Sequence, residues 1–145
     1  MDAVVKHLQR ELDVLTDIVS TYQRVQNAIT AYDLQQLQQS LAHLDSLTDT
    51  LQQLEMQRFH IISRALQIPL AEAKKIRTTQ LLEHTSNSHL QKMLFHLQQA
   101  FKEQTDKLQR TAVITSFLIR RALEFSETAL EALLGKHQSL YNVRA

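Results

Sequence analysis

Apolar residues in the first thirty positions fall at Val4, Leu8, Leu12, Leu15, Val19, Tyr22, Val25 and Ile29. Steps of three and four residues place them on one face of an α-helix, predicted over about 2–30. The pattern hesitates at TAYD, where Asp33 predicts an N-cap and Gln36, three residues on, completes a capping-box pair. A second helix over about 33–67 carries a narrower stripe: Leu34, Leu37, Leu41, Leu44, Leu47, Leu51 and Leu54, flanked on both sides by Gln, Ser, Thr, Asp and His. So thin a stripe resembles a coiled-coil seam more than the face of a globular core helix. It continues through Phe59, Ile61, Ile62 and Ala65 and must stop before Pro69, because the residue preceding proline resists the α conformation.

Residues 69–84 predict one or two short helical turns, with Pro69 suited to a first-turn position and a short helix over about 70–83. TSNS at 85–88 is the clearest loop, and one of its polar residues should cap the next helix. A last helix over about 88–134 takes up the stripe at Leu90, Leu94, Leu97, Phe101, Leu108, Ile114, Leu118, Ala122, Phe125, Ala129 and Leu133. Gly135 is the expected C-terminal stop, leaving 135–145 as a flexible tail. At ~1.5 Å per residue the three long helices measure about 40, 50 and 70 Å, so the last outruns its antiparallel partners. Its far end, 112–134, is also its most apolar part: Phe117, Ile119, Leu123, Leu130 and Leu134 widen the stripe towards half the circumference. An arc that wide needs a cover: the helix folds back, dimerises, or holds an apolar helix from another protein.

Composition agrees with this pattern. One Gly and one Pro in 145 residues leave too little turn punctuation for a β-rich fold, and 24 Leu with 18 Gln favour long helices. The expected fold is all-α: a single domain over 1–145, an elongated antiparallel helical bundle or coiled-coil hairpin of about three long helices plus one short one. A formal net charge of +1 with interspersed signs gives no electrostatic footprint for nucleic acid. The N-terminus lacks the pattern of a signal peptide, and the apolar run 112–119 is cut short by Arg120 and Arg121, so a cytoplasmic protein is expected.

Catalytic chemistry finds little to work with. There is no Cys, no glycine-framed Ser and no Gly-rich phosphate loop. The spacings His84–His89 and His89–His96 do not match the i, i+4 pair of a helical metal site. No catalytic residue, metal site or cofactor is expected. Arg120–Arg121 and Lys74–Lys75–Arg77 are small basic clusters, most simply solvated faces.

The order of features resembles the FlgN-type flagellar secretion chaperones. An amphipathic first helix breaks at an acidic residue, Asp33. A Leu seam then ends in a Glu-x-x-Arg-like stretch, LEMQR at 54–58, and after a long last helix comes a tail carrying Leu140–Tyr141. Two departures stand out. Ala112 and Thr115 occupy positions where many members carry asparagines, and the tail ends in Ala145 without the glycine often found after the tyrosine.

The resemblance implies a chaperone without enzymatic activity. Its client would be the C-terminal helical segment of the hook–filament junction proteins, bound on the last helix at Ile114, Phe117, Leu118, Ala122, Leu123, Phe125, Ala129, Leu130 and Leu133. Leu140 and Tyr141 would dock on the membrane protein of the flagellar type III export gate, with the export ATPase complex as a further partner. A homodimer is expected among the client-free states. Two readings stand beside this one: a chaperone for another flagellar client such as the filament cap, and a structural coiled-coil protein that dimerises through 112–134.

Overall fold

Helix α1 runs Asp2–Thr30 and α2 runs Leu34–Leu66, joined by a turn without glycine. The turn is closed by a full Schellman arrangement: the Tyr32 N–H donates to the Ile29 carbonyl at 3.2 Å and the Asp33 N–H to the Ala28 carbonyl at 3.0 Å. Tyr32 supplies the left-handed conformation, with φ 55°, that glycine usually provides. Asp33 then caps α2, its Oδ1 accepting the Gln36 N–H at 3.0 Å. The reciprocal half of the expected capping box is not used, because the Asp33 N–H is already committed to Ala28. The end of α2 repeats the device: Gln67 has φ 53°, the Ile68 N–H donates to the Ser63 carbonyl at 3.1 Å, and the Ser63 hydroxyl donates to the Ile68 carbonyl at 2.6 Å.

The computed structural model describes the backbone of residues 1–144 and the side chains of residues 1–135. After Pro69 come one turn of helix, α3 (Leu70–Ala73), and a 3₁₀ helix, Thr78–His84. In the TSNS loop the capping residue is Asn87, whose Oδ1 accepts the His89 N–H at 2.9 Å and the Leu90 N–H at 3.3 Å. Helix α4 then spans Ser88–Arg144.

Helix α1 is the shared partner, lying antiparallel to α2 and parallel to α4, while α2 and α4 have no comparable interface with each other. This explains why α1 is buried over a wider arc than its apolar spacing predicts: Val5, His7, Glu11, Ile18 and Thr21 join Val4, Leu8, Leu15, Val19 and Val25. The tightest core lies where α1 begins. There Val4, Val5 and Leu8 meet Ile62, Ala73, Leu81, Leu94 and Leu97, so the short elements after Pro69 close the base of the bundle. Leu8, Ile62, Leu81 and Leu94 are fully enclosed, each worth roughly 1.5–3 kcal/mol of burial. The Gln98 amide donates to the Thr78 carbonyl at 2.8 Å and ties α4 to the 3₁₀ segment. The thin Leu seam of α2 stays mostly half-buried, with Leu34 and Leu41 exposed, as a helix with one partner requires.

One expectation is corrected. Gly135 does not end the last helix, whose backbone continues to Arg144. Gly135 has no positive φ, and a Cβ placed on it would meet nothing within 4 Å. Inside the continuing helix the glycine costs about 1 kcal/mol relative to alanine.

Candidate binding surface on the last helix

The face of α4 turned to α1 steps in threes and fours through Leu94, Leu97, Phe101, Gln104, Leu108, Thr111, Thr115, Leu118 and Ala122, all buried or half-buried. In its upper half this seam is polar. Thr115 is only 3 % exposed. The Gln26 amide reaches across from α1, donating to the Thr111 carbonyl at 3.2 Å and to the Thr115 Oγ1 at 3.0 Å, and the Thr115 hydroxyl donates to the Thr111 carbonyl at 2.7 Å. With a threonine facing inward, the large apolar neighbours point out: Val113 is 70 % exposed, and Ile114 and Phe117 are also exposed. The expectation that Ile114 lies on the packed stripe is thus displaced by one position. Aliphatic spacing favoured Ile114, whereas a hydrogen-bonded threonine holds the seam.

Helix α1 gives out at Thr30, level with Leu118–Phe125, and α4 continues for roughly 30 Å beyond it. Of the residues predicted to bind a client, Ile114, Phe117, Leu123, Phe125, Ala129, Leu130 and Leu133 are exposed. Leu118 and Ala122 are half-buried. They form the floor of a groove of about 600 Å³ whose walls include Ile29 and Tyr32 from the α1–α2 turn. Arg121 lies over the Phe117 ring, 5.9 Å from its centroid, placing a cation on the rim of the apolar patch. The side chains of Leu140 and Tyr141 lie outside the described residues.

Sequence reasoning passed over two features. Tyr32, 85 % exposed, stands at the mouth of the groove; a bulky residue at a glycine-free turn was the only available signal. The other is at the base, where LEMQR meets α1. Arg58 donates from Nη1 to Glu11 Oε2 at 2.7 Å, and His7 Nε2 lies 2.7 Å from the Leu54 carbonyl and 3.5 Å from Glu11 Oε1. Glu11 is 1 % exposed, and its Oε1 has no hydrogen-bond partner. Burial raises its pKa above the usual carboxylate value, against the opposing pull of Arg58 and His7. The Glu-x-x-Arg-like stretch therefore latches α2 to α1 through its arginine, while Glu55 is exposed. Among the described residues no three His, Asp or Glu side chains gather as a metal site would require, and no helix is long and apolar enough to cross a membrane.

A family model described as FlgN protein matches residues 1–145, the whole chain. The chain belongs to the FlgN family. No curated protein and no solved structure gives a significant match. FlgN proteins are flagellar export chaperones that bind export substrates, a chaperone family rather than an enzyme family. The helical bundle fits that class: a latched base and an apolar helix standing free of it.

Proposed function

We propose that this FlgN protein holds the C-terminal helical segment of flagellar hook–filament junction proteins in the cytoplasm and brings it to the export gate. The observation that carries the reading is the distribution of side chains on the upper half of α4. A threonine occupies the intramolecular seam while Val113, Ile114, Phe117, Leu123, Phe125, Leu130 and Leu133 face solvent. An apolar surface of that extent on one helix supports a partner site over a packing remainder.

The client segment becomes helical as it buries its apolar face against Phe117, Leu123, Phe125, Leu130 and neighbours. Ordering that segment offsets part of the interaction, so the complex is specific yet releasable, which an export chaperone needs. Leu140 and Tyr141 are assigned to gate docking by family resemblance; a tyrosine offers large contact area and a hydroxyl for orientation. Client capture tests the first claim: the purified protein should retain C-terminal segments of the junction proteins encoded in the same genome. Retention of the filament-cap protein instead would move the assignment to the other client class. The tail claim is tested by Tyr141→Ala, which should leave client binding intact and lower export of that client in cells.

A further inference from the structure

The upper half of the α1–α4 interface is held by a polar pair with aliphatic residues on either side of it. Thr115 is buried, and its Oγ1 accepts from the Gln26 amide at 3.0 Å, a bond that joins α1 to α4 across 89 positions. The same amide donates to the Thr111 carbonyl at 3.2 Å. On the helical wheel Thr115 lies between two apolar rows, Ile114–Leu118–Phe125 on one side and Ala112–Ile119–Leu123 on the other. A turn of α4 by roughly 50°, half the step between successive residues, would bring Ile114 and Leu118 against α1 in place of Thr115. Isoleucine offers more apolar surface than threonine, so burial alone favours the turned helix. The turn would also draw Thr115 away from Gln26. Apolar burial and hydrogen bonding therefore select different rotations, and the observed rotation is the hydrogen-bonded one.

We infer that Gln26 and Thr115 are positioning residues that set the rotation of α4 and so decide which of its side chains a partner meets. The inference rests on the chaperone reading for its functional consequence, but not for its geometry. A polar contact in a helical seam fixes register at a cost in stability, because it is made in one arrangement only. Here it holds Ile114 and Phe117 on the exposed side of α4. Only about one turn of α1 remains between Gln26 and its end at Thr30. The rotation set at Thr115 therefore carries through to Leu123, Phe125, Leu130 and Leu133, with little of α1 left to reset it.

The test uses the full chain, which has no cysteine, so that one introduced thiol reports on one position. Ile114→Cys and Ala112→Cys are placed separately in the unaltered background and in Gln26→Leu/Thr115→Val, and their reaction with a maleimide is timed. Thermal melting, and anisotropy of fluorescein-labelled C-terminal segments of the junction proteins, accompany the labelling. The apolar pair should melt within about 3 °C of the unaltered chain, or higher, because neither polar group is left without its partner. In that background Ile114→Cys should react about threefold more slowly and Ala112→Cys about threefold faster, and the segments should bind about threefold more weakly, as the turned helix gains population. Thr115→Ser, which keeps the acceptor, should leave labelling and binding unchanged. A residue with only a structural role would not move the two thiols in opposite senses, since local loosening speeds both. Thiols that are unchanged, or both faster, overturn the inference. A melting temperature about 10 °C lower for the apolar pair also overturns it, because the polar contact would then serve stability alone. Shifted thiols with unchanged binding overturn the functional consequence. Failure of the unaltered, folded chain to bind any segment overturns the chaperone reading, while the thiols still decide the rotation.

Discussion

Replacing Arg58 by alanine should markedly destabilise the α1–α2 hairpin. Glu11 is 1 % exposed, and one of its oxygens has no hydrogen-bond partner even in the intact protein. Arg58, itself 21 % exposed at the side chain, provides the only ion pair shorter than 3 Å among the described residues. Removing it leaves a buried carboxylate with only His7 3.5 Å away. Breaking such a pair costs about 3–5 kcal/mol, and the partial exposure of the arginine places this case near the lower end. With a urea slope of roughly 1–3 kcal/mol per molar, the midpoint should fall by about 1–2 M.

The loss must also depend on pH, with a definite sign. Without Arg58 the Glu11 pKa moves further up, so the folded variant takes up a proton that the unfolded chain, at the ordinary carboxylate value, does not hold. Above that value the folded state then binds more protons than the unfolded one, and stability falls as pH rises. The gap between Arg58→Ala and the unaltered chain should therefore narrow from pH 7 to pH 5. Urea titrations at both pH values, followed by circular dichroism, measure it. A loss below about 1 kcal/mol that is the same at both pH values would refute the description of Glu11 as a buried, dependent carboxylate.

The same geometry yields three further expected outcomes. Thr115→Val should cost about 1 kcal/mol in chemical denaturation, because the Gln26 amide loses an acceptor inside the seam, while Ile114→Thr should stay within about 0.5 kcal/mol; a reversed order would mean the helix is rotated from the orientation described. Asp33→Ala should lower stability by about 1 kcal/mol through loss of the α2 cap, measured by the same titration. The intact protein should lose stability as pH rises through the range above the ordinary carboxylate value, since burial raises the Glu11 pKa, and Glu11→Gln should flatten that fall; an unchanged pH profile would place the titration elsewhere.

Much of this architecture is legible from local signals. The spacing of Val4 to Ile29, the Asp33 cap and Pro69 set the bounds of α1 and α2 within one or two residues, because each is decided by neighbours a few positions away. The TSNS loop likewise announces a cap, supplied by Asn87. The features that sequence hides depend on distant partners. Tyr32 and Gln67 adopt the left-handed turns that a chain with one glycine must assign to other residues. Thr115 is inward and Ile114 outward because Gln26, 89 positions from Thr115, supplies the hydrogen bond that lets a threonine occupy the seam. His7, Glu11 and Arg58 look like surface polar residues until α2 lies antiparallel on α1. Gly135, a strong local stop signal, lies inside α4, whose backbone continues to Arg144. Sequence thus places the candidate surface in the right segment but assigns Leu118 and Ala122 wholly to it, whereas they are half-buried at the end of α1.

That distinction decides where the client surface is best probed. A charge at Leu118 would disturb the seam with α1 as well as any client site, whereas Phe125 is 67 % exposed and can be changed without touching the bundle's interior contacts. The measurement is capture of the C-terminal segments of the hook–filament junction proteins by the unaltered chain and by Phe125→Asp, with both shown to be folded by circular dichroism. Capture by the unaltered chain and its loss in the variant, at unchanged helicity, is the expected result. Equal capture by both, or by neither, would contradict the assignment of the upper half of α4 as the client surface.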